Sequence, residues 1–482
     1  MTARAVMVLG TTSNAGKSWL ATALCRWYER QGLKVAPFKA QNMSNNARVV
    51  VGPDGEAGEI GSAQYFQALA ARAVPEVRMN PVLLKPEHDT ESQVIAMGRV
   101  RADLAQVPWR ERSERLWPFA RDALHALMAE NDVVVLEGAG SPAEINLHAN
   151  DYVNMRSALE ARAACLLVTD IDRGGAFAHL FGTHQLLPEA ERALIRGFVL
   201  NRFRGDARLL APGPEQLQAF TGVPTVAVLP MWHGHGLPEE DGVFDEAPLG
   251  AAGGCVIAVV AYPRISNLDE FQPLRGAPNV RLRWARTPAE LEGADWVVLP
   301  GSKHTSGDLA WLRAQGLDAA VARHAAAGKR VLGVCGGLQM LGRALHDPHG
   351  VDGDAAGLGL LPLVTHFDRR KLLRHTRAAF GNTTGGWTAL AQVGFEGYEI
   401  RHGRTEAQGN AQVALCNEFG EAIGWQQGPV LGVYAHGLFE SSDAMNALFG
   451  TGVRSLDSVF DGLADFIDRH FEPGVLLRLV QP

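Results

Sequence analysis

The run Ala5-Val6-Met7-Val8-Leu9, followed at once by Gly10-Thr11-Thr12-Ser13-Asn14-Ala15-Gly16-Lys17-Ser18, decides the fold of the first half of the chain. An apolar run, a glycine-bounded turn and an amphipathic stretch predict a buried strand, a phosphate-cradling loop and a helix in succession. Leu20, Ala23, Leu24 and Trp27 share one face of that helix, so its stripe packs on a sheet while its N-terminus points at an anion. Small residues let the loop N–H groups curl round phosphate oxygens. Lys17 adds a positive charge, and the Ser18 hydroxyl suits Mg2+. Gly10, Thr12, Asn14, Gly16, Lys17 and Ser18 are therefore the candidate nucleotide-binding residues. One departure stands out: five residues, rather than the usual four, separate Gly10 from Gly16, with Thr11 where the first glycine would sit.

Outward from this loop, short apolar runs recur at Val133–Leu136, Cys165–Val168, Phe198–Leu200 and Val226–Leu229, separated by amphipathic stretches. That alternation predicts an α/β domain over residues 1–230, built on a parallel sheet with helices on both faces. Glu137 ends one of these runs and is placed to face the loop as a second Mg2+ ligand. Residues 231–252, with Met-Trp-His-Gly-His-Gly-Leu-Pro and an acidic patch (Glu239, Glu240, Asp241, Asp245, Glu246), read as a linker. Nothing near His233 and His235 completes a metal-ligand set. Strands resume at Val256–Val260, Trp296–Leu299, Val331–Val334 and Val430–Val433, with an Ala-rich helix over Leu309–Ala327. They predict a second α/β domain over 253–450, and 451–482 then forms an amphipathic closing helix and tail.

Composition bounds the function. The 482 residues suffice for two or three domains, and 46% hydrophobic with 20% charged residues describes a soluble globular chain. A net charge of −7 without any Lys/Arg block argues against nucleic-acid binding. No apolar run approaches the roughly eighteen residues of a membrane span, and the first residues lack the form of a cleavable signal. The five scattered cysteines suit neither zinc nor a disulfide framework, so a cytoplasmic protein with reduced thiols is expected.

One of those cysteines stands in a reactive setting. Val331-Leu-Gly-Val-Cys335-Gly336-Gly337-Leu-Gln339 reads as strand, sharp turn and helix, the arrangement of a nucleophile elbow. A helix N-terminus favours the thiolate, and the Gly336 N–H points where an oxyanion would form. His436, in Gly-Val-Tyr-Ala-His-Gly at the end of another strand, is the candidate base. Gly301, in Pro-Gly-Ser-Lys after strand Trp296–Leu299, is placed to supply the second oxyanion N–H.

The long phosphate loop is similar to that of dethiobiotin synthetase-like ATPases, and the Cys335/His436 half resembles class I (triad-type) glutamine amidotransferases. Further stretches extend the likeness: Lys39-Ala-Gln41-Asn42-Met-Ser44-Asn45-Asn46, Glu137-Gly-Ala-Gly-Ser-Pro-Ala-Glu144-Ile-Asn146, Asn201-Arg-Phe-Arg-Gly205-Asp206 and Gly397-Tyr-Glu-Ile-Arg-His402-Gly403. Together they make nearly the whole chain resemble the cobyric acid synthase family of cobalamin biosynthesis. The resemblance implies ATP- and Mg2+-dependent, glutamine-hydrolysing amidation of a corrinoid, adenosylcobyrinic acid a,c-diamide. It assigns Gln41, Asn42, Asn45, Asn46 and Asn146 to substrate or phosphate, and Asn201 and Asp206 to an adenine-side loop. Asp170 and Asp172 are candidates either for Mg2+ support or for loop capping, and His402 is second to His436 as base.

Two departures matter. Triad amidotransferases carry a Glu two residues after the base, where this chain has Leu438, and Glu440 lies four after it. The base therefore has no evident acidic partner in the sequence. Where the related a,c-diamide synthases carry an Asp-containing segment, this chain has Gln41–Asn46, which favours the first family over its sibling. A ParA/MinD-like regulatory ATPase is the different-class alternative; it would carry an extra loop lysine in place of Thr12 and no cysteine elbow.

Overall fold

A computed structural model describes residues 3–52, 54–87, 91–238 and 254–481. The acidic patch of the expected linker, Glu239 to Glu246, lies outside the described residues. In the first half, strand Arg4–Gly10 is buried at the centre of a six-stranded parallel sheet. It pairs on one side with Val133–Glu137 and on the other with Ala164–Asp170. Ile195–Phe203 and Thr225–Pro230 extend one edge, and Val35–Phe38 forms the other. Near-continuous Val/Leu runs are what a sheet covered on both faces requires. The edge strand Val35–Phe38 was not among the apolar runs read from the sequence. Its Pro37 lacks an N–H, which a sheet edge tolerates.

Between that edge strand and the long helix Trp109–Glu130 the chain builds two small sheets. Gln41–Met43 pairs with Val82–Pro86, which continues to Ser92–Ala96 and Arg99–Val100. Ala47–Val51 pairs with Ala57–Gly61. These sheets form the bridge to the second half: Ala47, Leu83 and Ile95 make a small core against Ile400.

The second half has its own sheet. Val280–Ala285, Cys255–Val260, Trp296–Leu299, Arg330–Val334 and Val430–Val433 are parallel neighbours in that order. An antiparallel extension follows, through Ala422–Gln427 and Gln412–Asn417 to the long hairpin Leu363–Phe380/Gly394–Ala407. The helix expected over Leu309–Ala327 is two helices, Thr305–Ala314 and Leu317–Ala326. Gly316 breaks it at φ 71°, a left-handed conformation that glycine adopts without steric cost.

The C-terminal helix Leu456–His470 returns to the first half. Val459, Phe460, Leu463, Phe466 and Ile467 pack in one cluster with Leu20, Leu24 and Tyr28 of the helix that follows the phosphate loop. Trp27 Nε1 donates to Asp468 (2.8 Å), and Tyr28 OH donates to the Leu476 carbonyl (2.8 Å). The tail thus clamps the helix whose N-terminus carries Lys17 and Ser18.

Candidate active site: a cysteine centre and a phosphate-loop centre

Cys335 stands at the end of strand Arg330–Val334 with φ 52° and ψ −106°, a conformation rare for a residue with a side chain. The turn is forced by close packing of the next helix on the sheet. A Cβ on Gly337 would lie 1.9 Å from the Leu299 carbonyl oxygen, and one on Gly333 would lie 2.7 Å from Gly337. Only glycines let the helix Gly336–Leu341 approach so closely, and that approach turns the Cys335 side chain out of the strand. Its Sγ donates to the Ile400 carbonyl at 3.7 Å.

His436 is buried, and the Cys335 sulfur is among the groups acting on its charge. Its Nδ1 lies 3.0 Å from Oε1 of Glu270, which is itself buried. Glu270 sits in the short 3-10 turn Leu268–Phe271, and its other oxygen accepts from the Gly437 N–H (3.4 Å). Burial opposes charge on His436, but the Glu270 carboxylate and the Cys335 sulfur outweigh it and raise the imidazole to about 10. The Glu270 carboxylate thus favours the charged imidazole beside the Cys335 sulfur.

Glu270 is the acid missing from the sequence reading. Glu440, the nearest acid after His436, turns elsewhere and pairs with Arg48. His402 donates through Nδ1 to the Asp368 carbonyl (3.0 Å), and burial beside Lys371 pushes it down to about 4. It is tied to the hairpin, whereas His436 is the histidine held by a buried carboxylate. Tyr398 stacks on the His436 ring (centroids 5.1 Å, 19°), and the two backbones exchange hydrogen bonds of 2.9 and 3.3 Å. The two glycines named as oxyanion donors lie beside this pair. A Cβ on Gly301 would meet His436 Cε1 at 3.2 Å, and one on Gly336 would meet the Ser302 nitrogen at 2.8 Å.

The phosphate loop is equally well defined. Lys17 Nζ donates to the Thr12 carbonyl (3.0 Å) and the Gly140 carbonyl (3.2 Å), so it spans the loop. A Cβ on Gly10 would lie 2.9 Å from that Nζ, which explains a glycine there. Asn14 and Gly16 take positive φ values of 59° and 99° to shape the turn. Ser18 Oγ donates to Glu137 Oε1 at 2.8 Å, so the two metal-ligand candidates are adjacent. Glu137 is also held by Lys39 Nζ (2.8 Å) and Gln67 Nε2 (2.5 Å). Burial raises its carboxyl, yet Lys39, Ser18 and Gln67 bring it below the ordinary value. One ionised carboxylate and one hydroxyl are the protein donors that a phosphate-bound Mg2+ needs, its other positions going to phosphate and water. Lys39 must yield Oε1 for that. Among the described residues no three acidic, His or Cys side chains cluster as a self-sufficient metal site.

The remaining candidates divide. Asn201 Nδ2 donates to the Ala15 carbonyl (2.9 Å) and would collide with a Cβ on Gly16, so it braces the loop from beneath. Asp206 caps the 3-10 turn Ala207–Leu210 and pairs with Arg208 (2.6 Å); that contact occupies the carboxylate expected to face nucleotide. Asp170 pairs with Arg202 (3.1 Å) and Arg173, and Asp172 pairs with Arg204. Gln41 accepts from Tyr152 OH (2.7 Å). Asn42 is buried and donates to Gln64 (3.2 Å), which in turn reaches Glu137 (3.4 Å). Asn42 therefore holds the loop to the metal-ligand candidate from inside, whereas Asn146 is exposed. Asn45 Oδ1 is buried and, among the described residues, has no hydrogen-bond partner. His235, in the expected linker, packs edge-on against Trp19 and Trp232.

A cysteine elbow with an imidazole and a carboxylate in line, joined to a phosphate loop, defines a glutamine amidotransferase fused to a nucleotide-binding half. Comparisons with known proteins agree with that division. Residues 6–234 match the CobQ/CobB/MinD/ParA nucleotide binding domain, and residues 256–444 match the CobB/CobQ-like glutamine amidotransferase domain. The cobyric acid synthase of Methylibium petroleiphilum is 75% identical, over 99% of this chain and 97% of that one. That of Leptothrix cholodnii is 71% identical, over 100% and 98%. That of Variovorax paradoxus is 69% identical, over the full length of both. The chain belongs to the cobyric acid synthase family, enzymes of glutamine-dependent amidation in cobalamin biosynthesis.

Proposed function

We propose that this chain amidates the b, d, e and g side-chain carboxylates of adenosylcobyrinic acid a,c-diamide, using ATP and glutamine, to give adenosylcobyric acid. The observation that carries the reading is the Cys335–His436–Glu270 alignment in one polypeptide with a phosphate loop whose Ser18 and Glu137 lie 2.8 Å apart. In the cysteine centre the Cys335 thiolate attacks the side-chain amide carbon of glutamine. The N–H groups of Gly336 and Gly301 receive the oxyanion, and His436 protonates the departing ammonia. His436 then takes a proton from water, which hydrolyses the thioester to glutamate and restores the thiol. Glu270 keeps the imidazole oriented and stabilises its charged form.

In the other centre, Gly10, Thr12, Asn14 and Gly16 shape the loop, and Lys17 holds the β- and γ-phosphates of ATP. Ser18 and Glu137 would hold Mg2+, which supplies charge neutralisation at the phosphates. A corrinoid carboxylate attacks the γ-phosphorus and releases ADP. The resulting acyl phosphate is attacked by ammonia, giving the amide and inorganic phosphate. Gln41, Asn45 and Asn146 are the polar side chains offered to the substrate, and Asn201 serves nucleotide by bracing the loop. Free, unpaired cysteines suit work in the cytoplasm. Among the described residues no helix is long and apolar enough to cross a membrane.

The test is product mass after incubation with ATP, Mg2+ and glutamine. The a,c-diamide is expected to gain four amides. Amidation of cobyrinic acid at two positions, with the a,c-diamide left unchanged, would assign the chain instead to its sibling activity.

A further inference from the structure

The Gln41–Asn46 stretch, offered to substrate in the first half, runs directly into strand Ala47–Val51, and that strand reaches into the second half. Arg48 is its buried charge, 2% exposed. Its Nε donates to Asp269 (2.9 Å) and its Nη2 bonds the same carboxylate oxygen. Nη1 and Nη2 also donate to Glu440, at 3.0 and 2.6 Å. The guanidinium lies over the rings of Tyr398 (4.9 Å), Phe66 (5.0 Å) and Tyr65 (5.4 Å). Each second-half group that Arg48 touches adjoins the cysteine centre. Asp269 precedes Glu270, Glu440 ends the turn that follows His436, and Tyr398 stacks on the His436 ring.

Neighbouring bonds secure the same segment. Asn46 Oδ1 accepts from the Leu268 N–H (2.8 Å). Asn267 Nδ2 donates to the Ala47 carbonyl (2.8 Å) and to Tyr398 OH (2.8 Å). The turn carrying Glu270 is thus fastened to residues 46–48 of the other half at three successive positions. A fully buried guanidinium is costly unless its donors are met, and here two carboxylates and three rings meet them. Without it, the buried Asp269 carboxylate and the partly exposed Glu440 carboxylate would face one another with no cation between them.

We propose that Arg48 is a positioning residue for glutamine hydrolysis: it seats the Glu270 turn and Tyr398 against His436, and so links the substrate-side loop to the cysteine centre. The inference rests on the two-centre reading above. Its logic is geometric. Movement of the Gln41–Asn46 loop carries Arg48 with it, and Arg48 carries the carboxylate that orients the base. The glutaminase then works at full rate only when the substrate loop is seated.

The test compares the full-length wild type with Arg48→Lys and Arg48→Gln. Arg48→Lys keeps the charge but loses the forked contacts. For Arg48→Lys, kcat of glutamine hydrolysis is expected to fall about tenfold or more, with KM for glutamine within about twofold. Stimulation of hydrolysis by ATP plus corrinoid should be lost. Amidation supplied with ammonia should stay within about twofold of wild type, and Arg48→Gln should lose more glutaminase than Arg48→Lys. Retained stimulation in Arg48→Lys, or equal loss of glutamine- and ammonia-dependent amidation, would overturn the proposal. If Arg48→Gln does not fold, Arg48→Lys alone carries the same comparison. A wild type unable to amidate with either nitrogen source would instead overturn the two-centre reading beneath it.

Discussion

Around Cys335 the reacting groups support one another: the sulfur acts on the charge of the imidazole, which the Glu270 carboxylate holds at 3.0 Å. Around Lys17 the charged groups are engaged by groups that a ligand must replace. Lys17 is spanned by two carbonyls, and Glu137 is shared among Lys39, Gln67 and Ser18. The difference follows from the chemistry each centre performs. A nucleophile needs its base held by fixed neighbours, here Glu270 and, through the same turn, Arg48. A polyanion site must exchange hydrogen-bond partners as phosphate enters, and the Thr12 and Gly140 carbonyls that Lys17 contacts are neutral groups, easier to displace than a counter-ion. Lys39 is the exception, and its pairing with Glu137 makes it the group that must shift most.

Substitutions in the two centres should separate cleanly. Glu270→Gln removes the carboxylate that orients His436 and stabilises its charge. Glutamine-dependent amidation should fall about 10³- to 10⁴-fold while ammonia-dependent amidation stays near wild type. Equal rates with both nitrogen sources would show that Glu270 does not serve the base. Lys17→Ala acts in the opposite half: amidation should drop about 10²- to 10³-fold with either nitrogen source. Basal glutamine hydrolysis without ATP should persist in that variant, measured as glutamate release.

Smaller effects sharpen the contrast. Asn201→Ala withdraws the brace under Ala15 and should cost about 1–1.5 kcal/mol, a roughly tenfold rise in KM for ATP, with glutaminase unchanged. The smallest effect concerns the contact between the halves. Glu59 is buried between Lys85 (2.7 Å) and Lys371 of the long hairpin (2.5 Å). Burial raises its carboxyl, but the two lysines bring it down to about 2 from an ordinary 4.5. The folded value is depressed, so the stability it adds is complete above pH 4.5 and is lost as pH falls toward 2. Glu59→Gln should flatten the acid limb of a denaturation-against-pH curve. An unchanged limb would remove Glu59 from the ionic link.

Both reactive loops were readable because each is a local strand–turn–helix unit whose residues lie side by side in the chain. Gly337 and Gly10 even report the close approaches that their turns demand. Glu270 was not readable: it reaches His436 across 166 positions, from a turn whose sequence carries no mark of catalysis. Leu438 and Glu440 therefore left the partner of His436 open, and the carboxylate beside it comes from another segment. Arg48 escaped for a related reason, since Ala47-Arg48-Val49-Val50-Val51 reads as an ordinary strand with one polar position. Gln41, Asn42, Asn45 and Asn46 read alike, as amides open to substrate, phosphate or water, yet Asn42 and Asn46 turn inward to bond Gln64 and Leu268. Propensity shows that a loop is polar, and only packing decides which of its amides are used internally.

The central claim is that Cys335 supplies nitrogen to a separate nucleotide-driven centre in the same chain. Its most direct test is the Cys335→Ala variant, given ATP, Mg2+ and the corrinoid, with product compared between glutamine and concentrated ammonium as nitrogen source. Loss of product with glutamine, and near wild-type product with ammonium, is the predicted result. Full product from glutamine, or none from ammonium in a folded variant, would contradict it.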